Sequence, residues 1–173
     1  FTANPRMKND AQSICINSDT KFTMQNNYAN PSLLYTWNVL GDLVGPGAEA
    51  APIIHADSLG QFGNSVILDN GPQYCADTIQ LDHIITVRGP KLDFSAPVSL
   101  CVNTALNVVN LSHPYQPADT IQQWTWNFGF PSAISNEFQP QPFQYSVPKI
   151  YTVQLTATDI TGCTDSLSKK VYV

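Results

Sequence analysis

The stretch Tyr151–Val173, YTVQLTATDITGCTDSLSKKVYV, decides the fold. Tyr151, Val153, Leu155 and Ala157 alternate with Thr152, Gln154, Thr156 and Thr158. That is a period of two, the signature of a strand with one apolar face and one face of hydroxyls and amides. Asp159-Ile160-Thr161-Gly162 is turn chemistry, because Asp can bond its own backbone and Gly can take positive φ. A second strand follows and closes at Val171 and Val173. Two antiparallel strands with a cysteine just past the turn read as a hairpin of a β-sandwich.

Working outward, the same plan fills Phe62 to Val87 more loosely. Asn64 stands where Val153 stands, and Asp69-Asn70-Gly71-Pro72 makes a longer turn. Further repeats extend the match toward the N-terminus. Phe1-Thr2-Ala3-Asn4-Pro5 and Phe94-Ser95-Ala96-Pro97 each read as a short edge strand ended by proline. Ile14-Cys15-Ile16-Asn17 parallels Leu100-Cys101-Val102-Asn103. Each is followed by an alternating strand, Lys21–Met24 in one copy and Ala105–Asn110 in the other. The first copy carries a loop insertion ahead of its cysteine, in NPRMKNDAQS. Tyr35-Thr36-Trp37-Asn38-Val39 matches Trp124-Thr125-Trp126-Asn127-Phe128, with large apolar residues at i, i+2 and i+4 on one strand face. Trp37, Trp126, Tyr151 and Phe62 are therefore expected in the cores. The loops Gly41–Ala51 and Pro131–Pro148 join sheet to sheet. The chain reads as all-β: two tandem immunoglobulin-like β-sandwich modules, residues 1–88 and 89–173. The linker Arg88-Gly89-Pro90-Lys91 is short, and its proline limits freedom, so a stiff tandem is expected.

Composition narrows the function. Apolar residues make up 43%, enough for cores, while charged residues are only 12% and the net charge is −5. An acidic chain with no Lys/Arg run argues against nucleic acid and against an acidic membrane surface. No run of 18 apolar residues is present to insert in a membrane. No signal peptide is visible and the chain starts inside what reads as a strand, so a mature fragment or a piece of something longer is expected.

The four cysteines, Cys15, Cys75, Cys101 and Cys163, include no C-x-x-C pair, which argues against a zinc site. Three pairings are open. Matching spacings of 60 and 62 positions inside matching modules favour Cys15–Cys75 and Cys101–Cys163. Oxidised cysteines would place the protein outside the cytosol.

Catalytic signatures are weak. His55, His83 and His113 are scattered, no G-x-S-x-G elbow appears, and Gly45-Pro46-Gly47 lacks the lysine of a phosphate loop. Asp69, Asp93 and Asp159 read as solvated turn or strand-end residues. Asp42 and Glu49 offer a weak start on a calcium site, which needs several converging oxygens. No cofactor, no resident metal and no enzymatic activity are expected. Asn110-Leu111-Ser112 fits the N-glycosylation pattern.

The stretches WTWNFG (Trp124–Gly129) and VPKIYTVQLTATDITGCTDS (Val147–Ser166) resemble PKD (polycystic kidney disease) domains, especially the tandem kind in secreted and surface proteins of Bacteroidota. The first module resembles them through YTWN, LGQF and CADT. It departs at the residue after the tryptophan, Asn38 or Asn127 where the family pattern has Asp, and the second module lacks the G-D-G turn. The resemblance implies an immunoglobulin-like sandwich in an extracellular spacer, adhesive or interaction module. It also implies O-glycans at Asp-Ser/Thr-apolar triplets, here at Ser58, Thr78, Thr120 and Ser166.

The expected function is thus a non-catalytic structural repeat, a spacer or stalk, of a long extracellular adhesin or filament protein. Its partners would be neighbouring modules of the same long chain. The alternative is an accessory module of a secreted enzyme that binds surface polysaccharide or protein. That reading needs exposed aromatics, for which Phe138, Phe143 and Tyr145 are the candidates.

Overall fold

The structure, a computed structural model, describes residues 6–25, 34–45, 51–69, 71 and 75–173. The expected edge strand at 1–5, the loop residues 46–50 with Glu49, and Asn70 and Pro72 of the first turn lie outside the described residues. The protein is all-β, with no helix among the described residues. The chain divides into two compact units, Phe1–Arg88 and Gly89–Val173.

In unit 2 the strands are β12 (Pro90–Lys91), β13 (Phe94–Ser95), β14 (Ala105–Leu106), β15 (Val109–Asn110), β16 (His113–Pro114), β17 (Ile121–Asn127), β18 (Ile134–Ser135), β19 (Phe143–Gln144), β20 (Ile150–Asp159) and β21 (Thr164–Tyr172). The largest sheet has the order β18-β17-β20-β21, and the remaining strands pair as β12-β16, β13-β15 and β14-β19. Unbroken alternation makes β20 ten residues long, and every second side chain from Tyr151 to Asp159 is buried. Gly162, at φ 86°, closes the turn to β21 with a hydrogen bond to Asp159 O at 3.0 Å.

The core of unit 2 gathers Phe94, Leu106, Trp126, Phe128, Tyr145, Tyr151, Val153, Leu155 and Val171. The Tyr145 and Tyr151 rings stack with centroids 3.9 Å apart. At the start of β20, Tyr151 Oη donates to Val147 O at 2.9 Å. This is the tyrosine corner of immunoglobulin-like sandwiches, a phenol tied back to the backbone a few residues upstream.

In unit 1 the strands are β1 (Arg6–Lys8), β2 (Ser13–Cys15), β3 (Asp19–Lys21), β4 (Thr23–Gln25), β5 (Leu34–Val39), β6 (Asp42–Val44), β7 (Ile53–His55), β8 (Gly60–Phe62), β9 (Ser65–Asp69), β10 (Asp77–Gln80) and β11 (Ile85–Arg88). They form the sheets β10-β9-β5-β6, β2-β11-β8, β1-β4 and β3-β7. The core holds Phe22, Tyr35, Trp37, Val39, Val66, Ile85 and Val87, with Phe62 partly buried against it.

Unit 1 breaks where unit 2 is continuous. The strand expected over Lys21–Met24 is interrupted at Phe22, which is fully buried between β3 and β4. The long hairpin is split too: β8 pairs with β11, and β9 pairs with β10. Gly63 and Asn64 make the break. Asn64 is 1% exposed, and its amide accepts from Leu40 N at 2.9 Å and donates to Phe62 O at 3.0 Å. A buried amide with both ends satisfied is stable, but its carbonyl draws the chain toward Leu40 instead of continuing a ladder.

Candidate functional site

Among the described residues, the titratable groups give no catalytic constellation. His55 and His113 are exposed, the first paired with Asp19 at 2.8 Å and the second bonded to Pro114 O. His83 is the more built histidine. Its Nδ1 lies 2.7 Å from Asp82 Oδ1 and its Nε2 lies 3.2 Å from Ala11 O. The hydrogen bond to Asp82 holds its pKa above the ordinary value. It lines a polar cleft with Lys8, Asn9, Asp10 and Asp82, which brings a histidine and carboxylates together without a serine, threonine or cysteine nucleophile on the wall. Among the described residues, no group of three or more His, Cys, Asp or Glu is placed to hold a metal ion. Asp42 is exposed on β6.

Two polar residues are buried, of which Asp159 differs from expectation. Asp159 is buried, not solvated. Its Oδ1 accepts from Thr161 N at 2.8 Å, Thr161 Oγ1 at 2.6 Å and Cys163 N at 3.1 Å, so it builds the turn from inside. Asn110 of the Asn-Leu-Ser triplet is also buried. Its Nδ2 donates to Phe138 O at 2.8 Å, so the nitrogen a glycan would need is occupied. Asp69 and Asp93 are exposed, and Asp93 meets Lys169 at 2.9 Å. That ammonium lowers the Asp93 pKa.

The aromatic candidates separate. Tyr145 is 1% exposed; its Oη donates to Phe128 O at 2.8 Å, and burial raises its pKa to about 12. It is a core residue and offers no binding surface. Phe143 lies flat on Phe128, with centroids 4.9 Å apart, and belongs to the same core. Both face inward because Phe143 and Tyr145 sit two apart on an extended segment, and so share a side. Only Phe138, 55% exposed, remains outside, edge-on to Trp124 at 5.2 Å.

Trp124 is the residue that sequence reasoning assigned to the core stripe alone. It shares a face with the fully buried Trp126 but sits nearer the strand start, where cover thins out. Beside it, Gln122, Gln123, Thr125 and Asn136 complete a cleft of roughly 420 Å³. β18 pairs with β17 only at Trp126 and Asn127, which leaves this segment of β17 uncovered on that side. The wall is amide, hydroxyl and indole, with no ionisable group. It can exchange neutral hydrogen bonds and offer an apolar face, but it cannot transfer a proton. The sequence signal was the QQWT run itself, polar residues alternating around one tryptophan.

The expected bridges Cys15–Cys75 and Cys101–Cys163 do not form. Cys15 and Cys163 are disulfide-bonded, whereas Cys75 and Cys101 are exposed free thiols, so each expected pair contains a free member. Strand length is the reason. Leu100 N donates to Tyr172 O at 2.9 Å, which puts Cys101 at the far end of β21, while Cys163 directly precedes its first residue. From its first residue to its ninth, at a rise of about 3.4 Å per step, β21 spans about 27 Å. A disulfide needs Cα atoms about 4.4–6.8 Å apart. Cys15, likewise, is the register partner of Arg88 at the end of β11, and Cys75 lies two residues before β10 begins.

The four triplet hydroxyls, on Ser58, Thr78, Thr120 and Ser166, are all in exposed residues. Leu59, Ile79, Ile121 and Leu167 beside them are partly buried. At Thr78 in β10 and Ser166 in β21, strand alternation produces that arrangement.

The class is the immunoglobulin-like β-sandwich, twice. No family model matches the chain, and no curated protein matches it. Among solved structures, the PKD1 domain of Vibrio anguillarum Epp is similar at 26% identity and a TM-score of 0.42, covering 50% of this chain and 94% of that one. The PKD1 domain of the Vibrio cholerae metalloprotease PrtV is similar at 25% identity and 0.42, covering 49% and 95%. A structure of carbohydrate-binding modules from the β-sandwich superfamily is similar at 24% identity and 0.45, covering 50% and 34%.

Proposed function

We propose that the chain is a non-catalytic spacer, a pair of PKD-type structural modules in a longer extracellular surface protein. The observation that carries this reading is the course of the chain through unit 2. Gly89 O accepts from Tyr115 N, and five residues later Thr120 O accepts from Ile160 N in the β20–β21 turn, so the chain enters near that turn. It leaves at Val173, past the far end of β21. Entering at one end and leaving at the other, each such module advances the chain by about a strand length, roughly 27 Å. Disulfide-bonded Cys15 and Cys163 support an oxidising compartment outside the cytosol. Exposed Ser58, Thr78, Thr120 and Ser166 are the places where glycans would attach to so weakly charged a surface.

The test is replacement in the parent protein. Exchanging this chain for an unrelated immunoglobulin pair of equal end-to-end length should preserve the parent's surface activity, while deletion should impair it. If replacement impairs it as much as deletion, the module has a specific role and the spacer reading is wrong.

One observation favours a second reading, a polysaccharide-binding module. The Trp124 cleft pairs an aromatic face with neutral amides and a hydroxyl, which suits sugar hydroxyls. Calorimetric titration with neutral oligosaccharides tests it. Binding that disappears in Trp124→Ala would support it, and no heat with any of them would end it.

A further inference from the structure

Within unit 1, one side chain joins the two rims of the polar cleft. The first rim is the connection between β1 and β2, residues 9–12, and it is pinned along its length. Buried Asn9 donates to Thr20 Oγ1 at 2.9 Å and to Lys21 O at 3.2 Å, and its Oδ1 accepts from Ala11 N at 2.8 Å. Gln12 O accepts from Thr86 N at 3.0 Å. The second rim is the connection between β10 and β11. It is held at Leu81, whose N–H donates to Asn64 O at 2.8 Å, and again at fully buried Ile85. Between those points Asp82 and Ile84 are exposed and His83 is half-buried. The cleft between the rims, roughly 260 Å³, has buried Met7 and Leu81 in its lining. His83 reaches across it, with Nδ1 2.7 Å from Asp82 Oδ1 and Nε2 3.2 Å from Ala11 O. Carboxylate and carbonyl oxygens only accept, so both ring nitrogens must carry hydrogen to make these two bonds, and only the imidazolium does. A neutral ring has one N–H to share between them. The short, charge-assisted bond to the carboxylate outweighs the longer bond to a neutral carbonyl. The remaining proton therefore stays on Nδ1, and the nitrogen facing Ala11 O becomes a lone pair.

We propose that His83 is a proton-operated clasp: its imidazolium ties residues 82–84 to residues 9–12 and closes the cleft, and its deprotonation frees Ala11 O and lets the rims part. Among the described side chains, three charged groups face the ring. Asp82 lies on its own rim, and Asp10 and Lys8 lie on the other side, paired with each other at 3.1 Å. Both carboxylates favour the imidazolium, and Lys8 opposes it less because Asp10 engages its ammonium. The clasp is closed at acidic pH. It opens as pH rises through the folded pKa of the ring, which the hydrogen bond to Asp82 holds above the ordinary 6.5. The moving part is short. Asn9, Gln12, Leu81 and Ile85 stay anchored by bonds and burial that do not titrate, so the strands keep their pairing while residues 82–84 swing away. What changes is access to the apolar lining at Met7 and Leu81, a local opening that costs little of the unit's stability. This clasp is independent of the spacer and polysaccharide readings.

The experiment is an NMR titration of the full chain, with labelled histidine rings, alanine carbonyls and methyl groups, from acidic to alkaline pH at fixed ionic strength. Ring nitrogen shifts report which nitrogen holds the proton, and the Ala11 carbonyl shift reports its hydrogen bond. The neutral ring should keep its proton on Nδ1, and the Ala11 carbonyl should lose its bond with the same midpoint as His83. A soluble paramagnetic probe should broaden the Met7 and Leu81 methyl signals several-fold more above that midpoint than below it. Asp82→Asn should reverse the outcome. Its amide donates to Nδ1, which moves the neutral ring's proton to Nε2, so the Ala11 bond and the closed cleft persist through the titration. His83→Gln should leave the Ala11 carbonyl and the two methyl signals level across the same range. Both variants change residues at the rim and leave the core of the unit intact. An Ala11 carbonyl that stays level while His83 titrates would overturn the proposal. So would a neutral ring protonated on Nε2 in the unaltered chain, methyl signals equally broadened on both sides of the midpoint, or an Asp82→Asn chain that opens as the unaltered one does.

Discussion

The long hairpin of unit 2 and its counterpart in unit 1 start from the same pattern and finish differently. In unit 2, Tyr151, Val153, Leu155 and Ala157 face one core without interruption, and β20 pairs with β21 over nine residues. In unit 1, Asn64 replaces Val153 at the second position of that stripe, and the hairpin divides between two sheets. One side chain makes much of the difference. A valine needs only an apolar neighbour, while a buried asparagine needs partners for its carbonyl and its amide, here Leu40 N and Phe62 O. The corner differs as well: Tyr151 is tied to Val147 O, and Phe62 has no hydroxyl to make that bond. A repeat can thus keep its core while changing which strands share a sheet.

The comparison can be broken most severely at the two tryptophans. Trp37 and Trp126 are fully buried, each in its own core. Truncating either to alanine should cost about 3–5 kcal/mol, which approaches the whole stability of a small domain. Residue-resolved hydrogen exchange on the full chain should show Trp126→Ala lowering protection throughout Gly89–Val173, and Trp37→Ala lowering it throughout Phe1–Arg88.

Exchanging the hairpin residues sharpens the contrast. Val153→Asn puts an amide into the unit 2 core with no Leu40 equivalent to satisfy it, and should cost about 2–4 kcal/mol. Asn64→Val strands the Leu40 N–H and should cost about 1–3 kcal/mol, despite its being the more apolar residue. Equal and small effects of both would mean the break in unit 1 has another cause. At the corner, Tyr151→Phe should cost about 1 kcal/mol, read by chemical denaturation, while leaving the strand pairing intact.

The smallest effects are ionic. His83 has a raised pKa, so its contribution is complete below its unfolded value and is lost as pH rises through the folded one, above 6.5. Asp93 has a lowered pKa, so its contribution is present at neutral pH and is lost as pH falls through the folded value, below the ordinary 3.8. The units should therefore lose slight stability at opposite ends of the pH range. His83→Gln and Asp93→Asn should each flatten one limb in thermal melts across pH.

Much of this was legible in the residues. Alternation along Tyr151–Ala157, the turn at Asp159–Gly162 and the paired tryptophans were enough for an all-β immunoglobulin-like fold. Disulfide pairing was not legible from spacing, because equal spacing in two modules says only that the cysteines are equivalent. The needed information was length: a nine-residue strand between Cys163 and the level of Cys101. Tyr145 looked like surface because it lies in a Pro-rich stretch, yet its ring stacks on Tyr151 and its hydroxyl reaches Phe128 O. Composition marked the loop, and tertiary packing decided its aromatics. Trp124 was hidden in the opposite way. Its spacing from Trp126 puts it on the core face, and only the short reach of β18 leaves it partly open.

The spacer claim is tested most directly by measuring reach. A second copy of residues 1–173 inserted in tandem in the parent protein should lengthen the distance between its distal tip and its anchor by a fixed increment, measured by electron microscopy of a tagged tip. Affinity for surface polysaccharide should not change. An unchanged reach, or a marked gain in polysaccharide avidity at the same reach, would contradict the account.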